Sequence, residues 1–138
     1  MLLNLEGNKI ETIKVSIKCN IRLKHFCNIF VTFLCLKSNQ FETAQSLEKV
    51  YLANNKIRSI AIDAFGSCNE LKLVDAKRNE ISVLDSALFG NCKKLSHVML
   101  GDNNIKSVPS DFLSSSPLLN TIDLSHNDLS TIPAQFGS

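Results

Sequence analysis

The sequence predicts a solenoid of stacked coils, each contributing one short strand, and three observations carry that prediction. Asn55, Asn79, Asn103 and Asn127 stand 24 residues apart. The same apolar frame surrounds each of them. A large apolar residue, Phe65, Phe89 or Leu113, returns at the same step in the second half of each unit. Periodicity of about 20 to 50 residues overrides local helix or strand signals, because a unit that short buries its apolar face only against the next copy.

The frame reads LxxLxLxxNxL with aliphatic substitutions. Leu47, Val50, Leu52, Asn55, Ile57 and Ile60 form one copy, and Leu71, Val74, Ala76, Asn79, Ile81 and Leu84 the next. Leu95, Val98, Leu100, Asn103, Ile105 and Val108 follow, then Leu119, Ile122, Leu124, Asn127, Leu129 and Ile132. A clipped copy precedes them in Leu3, Leu5, Asn8, Ile10 and Ile13. Alternating apolar residues such as Val50 and Leu52 describe a strand with one buried face. The chain must then turn, and its buried peptide groups need partners. An Asn amide both donates and accepts, so a ladder of Asn8, Asn55, Asn79, Asn103 and Asn127 can serve the turns of neighbouring coils. Phe41, Phe65, Phe89 and Leu113, each six residues before the next Leu, are expected to fill the back of each coil.

This frame resembles the leucine-rich repeat family. The 24-residue unit with Phe in its second half is similar to the extracellular subclass used by Toll-like receptors, Slit-type proteins and insect leucine-rich immune proteins. The resemblance implies an α/β class: a right-handed solenoid with a parallel concave sheet and irregular or short helical convex segments.

Asn8 and Asn55 are 47 residues apart, 23 more than the period, and residues 15–37 number 23. Removing them joins Lys14 to Ser38 and restores the five-residue step from Ile13 to Phe41 found between Ile60 and Phe65. Residues 15–37 carry Lys18, Arg22, Lys24 and Lys37 and no acid. Their start, Lys14-Val15-Ser16, is a splice-donor-like coding run, and residues 30–37 suit a pyrimidine tract, so a translated intron is the leading expectation. A genuine looped insertion, such as a basic amphipathic patch on a membrane surface, is the alternative. The organisation is thus residues 1–14 for the start of repeat one, 15–37 for the anomalous insertion, and 38–138 for the end of repeat one with repeats two to five. Neither end of the chain carries a cap or a secretory signal, which the reading takes as the mark of a fragment.

The composition fits a folded protein, with 44% apolar and 20% charged residues, no Trp and three Pro among 138. A formal charge of +2 is too small for a nucleic-acid surface. Outside residues 15–37, 11 of the 15 basic residues face all 13 acids. The apolar run at residues 26–36 is eleven long, against about 20 needed to span a bilayer.

Chemistry-bearing motifs are sparse. Cys68 and Cys92 share a column with Ala44 and Ser116, read as a tight buried site for free thiols, with a disulfide or metal pair as the alternative. Cys19, Cys27 and Cys35 fall in the insertion. His25, His97 and His126 are scattered, and no nucleophile, zinc or phosphate-loop motif accompanies them. No Asn-x-Ser/Thr glycosylation site occurs. Neither catalysis, nor a cofactor, nor a metal is expected.

Candidate ligand contacts are the variable strand residues that alternate with buried ones. The central column holds Asn4, Tyr51, Asp75, Met99 and Asp123. One flank carries Lys49, Leu73, His97 and Thr121, and the other Glu6, Ala53, Lys77, Gly101 and Ser125. Arg78, Asp102 and His126 rim the same face. Tyr51, Asp75, Met99, Asp123, Lys49, Lys77 and His97 are the expected binding residues, since aromatic and Met anchors among charges suit protein contact. The expected partner is a protein or microbial surface ligand, with no nucleic acid and no membrane span. The subclass resemblance places the chain outside the cell or on its surface; an intracellular scaffold is the alternative.

Overall fold

The structure, a computed structural model, describes residues 2–4, 35–36, 47–62, 64–65 and 68–133. Asn8, Phe41, His25, Cys19 and Cys27 lie outside the described residues.

Among the described residues seven short strands form in chain order: β1 (Leu2–Asn4), β2 (Cys35–Leu36), β3 (Lys49–Tyr51), β4 (Ser59–Ile60), β5 (Leu73–Asp75), β6 (His97–Met99) and β7 (Thr121–Asp123). β1, β3, β5, β6 and β7 line up in that order as one parallel five-stranded sheet, and β2 pairs with β4 in a second. Register follows the repeat: Val50 lies opposite Val74, Val74 opposite Val98, and Val98 opposite Ile122. Leu3 lies opposite Val50, so the clipped first copy stacks directly on the second. Cys35 and Leu36, near the end of the interruption, pair with Ser59 and Ile60.

The frame residues make the core. Val50, Val74 and Val98 are fully buried, as are Leu52, Ala76, Ile81, Leu95 and Ile105 or very nearly so. Each aliphatic side chain removed from water contributes about 1.5–3 kcal/mol, and stacking repeats the gain at every coil. Ala76 stands where Leu52 and Leu100 flank it, so the third coil carries the smallest side chain of that column.

Behind the sheet the rings form a continuous stack. Phe65 and Phe89 lie 5.4 Å apart at 23°, and Phe89 meets Phe112 edge-on at 5.5 Å. The expected column ran through Leu113, but in the fourth of these coils Phe112 supplies the ring one position earlier while Leu113 is buried beside it. Leu88-Phe89 becomes Phe112-Leu113, so the same two side chains fill the space in exchanged order.

Two expectations are corrected here. Cys68 and Cys92 are joined in a disulfide, with Cα atoms 4.9 Å apart, rather than standing as free thiols. Coil stacking brings equivalent positions to strand spacing, about 4.8 Å, which falls inside the Cα range a disulfide spans. Helical convex segments are also absent among the described residues. Isolated three-residue turns replace them: Leu88 N–H to Asp85 C=O, Gly90 to Ala87, Cys92 to Phe89 and Leu95 to Cys92 in one coil. Phe112 to Pro109, Ser114 to Asp111 and Ser116 to Leu113 repeat the pattern in the next. Segments this short cannot offset helix nucleation, and Asp85 Oδ1 accepting from Ala87 N–H at 2.9 Å favours a tight turn instead. The α/β class therefore becomes a solenoid of strands and turns.

Candidate functional site

The Asn residues organise the turn that follows each strand of the sheet. Asn103 Nδ2 donates to the carbonyls of Leu100 and Gly101 in its own coil and of Ala76 in the coil before, at 3.0, 3.2 and 3.0 Å. Its Oδ1 accepts the Ile81 N–H at 3.0 Å. Asn79 does the same for Ala76, Lys77, Leu52 and Ile57, and Asn127 for Leu124, Ser125, Leu100 and Ile105. Asn55 Nδ2 donates to Leu52 and Ala53. The amides of Asn79, Asn103 and Asn127 thus each weld one coil to its predecessor.

Reaching that position requires a sharp backbone reversal. Asn54, Arg78, Asp102 and His126, each preceding a ladder Asn, adopt φ of 57°, 53°, 55° and 53°. Asn, Asp and His tolerate this left-handed conformation better than most side chains, and Arg78 carries the largest local strain.

The sheet's outward face presents the variable residues in rows. Tyr51, Asp75, Met99 and Asp123 are register partners in one row, and Lys49, Leu73, His97 and Thr121 in the next. Lys49 is exposed; Tyr51, Leu73, Asp75, Lys77, His97, Met99 and Asp123 are half-buried. The third row is low, since Ala53 and Gly101 are small and buried.

Gly101 has a specific consequence. A Cβ there would approach Asp123 Oδ2 and Ser125 Oγ to 3.0 Å. Its absence lets Lys77 Nζ, from the coil before Gly101, reach Asp123 Oδ2 in the coil after it at 3.5 Å. Asp123 Oδ1 also accepts Ser125 Oγ–H and N–H at 2.6 and 3.0 Å. The Ser125 hydroxyl, with Lys77 assisting, holds the Asp123 carboxyl below the usual aspartate range against a modest desolvation penalty. Asp75 Oδ1 accepts the Lys77 N–H at 3.2 Å.

His97 is oriented by its neighbour. Ser96 Oγ–H donates to the Lys72 carbonyl at 2.9 Å and lies 2.8 Å from His97 Nδ1. A hydroxyl has one proton, so His97 Nδ1–H must be the donor in the second contact and Nε2 is left as the acceptor. In that arrangement His97 Nδ1 does not accept the Ser96 proton.

Along the rims run exposed ion pairs between coils: Glu48 with Lys72 at 2.9 Å, Glu70 with Lys94 at 2.6 Å, Arg58 with Glu80 at 2.8 Å and Arg78 with Asp102 at 3.8 Å. The hydrogen bond from Lys72 lowers the Glu48 pKa and raises that of Lys72. Pairs this exposed add little stability. Among the described residues no helix is long and apolar enough to cross a membrane, and no cluster of His, Cys, Asp or Glu could hold a metal ion.

A family model described as the BspA type leucine-rich repeat region, present in six copies, matches residues 34–136. The chain belongs to this leucine-rich repeat family. No curated protein matches it. The family match begins inside the interruption, one residue before β2, and runs through the coils that carry β3 to β7. Sequence reasoning held the disulfide of this leucine-rich repeat stack only as the alternative to free thiols, and it missed the Lys77–Asp123 bridge. The 24-residue separation of Cys68 and Cys92 was the available signal for the first, and Gly101 between Lys77 and Asp123 for the second.

Proposed function

We propose that the chain is a non-catalytic module that holds a protein partner on the strand face carrying Tyr51, Asp75, Met99 and Asp123, as part of an extracellular recognition or innate-immune receptor-like protein. The observation that carries the reading is the outward face itself. Half-buried Tyr51, Leu73 and Met99 stand among Lys49, Asp75, Lys77 and His97 on a sheet whose spacing is set by the backbone and the Asn ladder. Apolar anchors in a polar surround on a rigid support match the anatomy of protein-contact sites, where aromatic anchors carry much of the energy. The disulfide supports the extracellular setting, because disulfides form and persist in oxidising compartments. A microbial surface ligand fits the same reading.

The test is to compare wild type with Tyr51→Ala and Met99→Ala chains for binding to a panel of displayed proteins and peptides, with Val83→Ser on an exposed edge as the control. Loss of binding of tenfold or more in the first two and none in the control is the expected result. Equal binding by all four chains would remove this face from consideration.

A further inference from the structure

We infer that the face takes a protein segment bearing a basic side chain seated on Asp75 and an acidic one opposite Lys49, around an apolar centre. This rests on the proposed use of the sheet face and specifies the partner's chemistry.

Four residues of β3 and β5 form a checkerboard. Register sets Lys49 against Leu73 and Tyr51 against Asp75. Neighbouring strands lie about 4.8 Å apart, and residues two apart along a strand about 6.6 Å. Charges therefore occupy one diagonal, Lys49 and Asp75, and apolar groups the other, Leu73 and Tyr51. Met99 is the register partner of Asp75 on the far side, so the shorter carboxylate side chain stands in one row between the longer Tyr51 and Met99.

The charge state of the face makes this pattern selective. Asp123, the other carboxylate of the central row, is already neutralised by Lys77. Lys72 is engaged by Glu48. Among the described residues Asp75 and Lys49 are in no ion pair, so they are the opposite charges left for a partner. A guanidinium or ammonium on Asp75 gains a charge-assisted hydrogen bond and can also lie against the Tyr51 ring. An acidic group on Asp75 meets repulsion instead, which is how like charge excludes wrong partners.

The test uses a random peptide library displayed on phage and selected on the immobilised chain. Asp75→Asn keeps the oxygen that accepts the Lys77 N–H, and Lys49→Gln alters an exposed side chain, so both variants fold. Support is enrichment of peptides that share an Arg or Lys, bind Asp75→Asn at least tenfold more weakly than wild type, and weaken as salt is raised. Those that also carry an acidic residue should weaken on Lys49→Gln. Peptides lost on Tyr51→Ala but indifferent to Asp75→Asn would overturn the charge pattern while leaving the sheet face in place. Peptides indifferent to all three variants, or no peptide that distinguishes wild type from Asp75→Asn, would overturn this inference. Indifference to Tyr51→Ala as well would also sink the proposed use of the face.

Discussion

Replacing Asn103 tests whether the ladder holds the coils together. Three carbonyls receive its Nδ2, yet each has another donor: Ala76 C=O from Asn79 Nδ2, Leu100 C=O from Asn127 Nδ2, and Gly101 C=O from Arg78 N–H. The group that loses its partner in Asn103→Ala is the Ile81 N–H. One buried N–H left unpaired costs about 1–3 kcal/mol, and the lost amide bonds about 1 kcal/mol more, so the expected destabilisation is about 2–4 kcal/mol. Asn103→Asp discriminates further. The carboxylate still accepts from Ile81, but it sets a negative charge beside three carbonyl oxygens in a site where Asn103 is only 7% exposed. At neutral pH it should therefore be worse than Ala, and it should recover as acid protonates it. Urea unfolding followed by circular dichroism at pH 7 and pH 5 measures both variants. A loss below about 1 kcal/mol for Ala, or an Asp variant milder than Ala at pH 7, would refute the reasoning.

Three further outcomes follow from the same geometry. Reducing the Cys68–Cys92 disulfide, or replacing both residues with Ala, should lower unfolding free energy by about 3.5 kcal/mol from loop entropy over a 24-residue separation, read by urea titration with and without reductant. Native protein treated with an alkylating agent should keep both thiols unmodified until it is reduced. Arg78→Gly should raise stability by up to about 1 kcal/mol, since Arg78 holds φ of 53° and its ion pair with Asp102 is exposed; thermal unfolding decides the sign. Asp123 has a depressed carboxyl pKa, so its stabilisation is present above the unfolded value of about 3.9 and is lost as pH falls through the lower folded value. Ser125→Ala should move that carboxyl back toward the ordinary range in an NMR titration.

What the sequence made legible was whatever depends on the period alone. Val74 and Val98 lie at the centres of β5 and β6 because alternation around each Asn leaves one choice of buried residue. The rows of the outward face follow from the same register. What stayed hidden depends on distances between coils. A column of Ala, Cys, Cys and Ser reads first as small residues and only second as a bond, and a Cα separation of 4.9 Å decides for the bond. The exchange of Leu88-Phe89 for Phe112-Leu113 follows ring packing rather than position in the frame. Lys77 reaching Asp123 across two coil steps depends on a Cβ that is absent at Gly101. Leu36 is a further case: it sits 24 residues before Ile60 and pairs with it, so the repeat's step persists inside a segment that the spacing of the Asn residues marks as surplus.

The division of labour within a coil explains why the face can vary while the fold does not. Spacing between Tyr51, Asp75 and Met99 is set by backbone bonds, Leu52 N–H to Asp75 C=O at 2.6 Å and Ala76 N–H to Met99 C=O at 2.8 Å, and by the amides of Asn79 and Asn103 beneath them. None of those bonds uses a side chain of the outward rows. Opposite the sheet, Phe89 and the Cys68–Cys92 disulfide lock the same pair of coils from the back. A change at Tyr51 or Met99 therefore alters the outward surface at small structural cost. A change at Asn79 or Asn103 would displace every row at once, because in a stack held by nearest neighbours each coil positions the next.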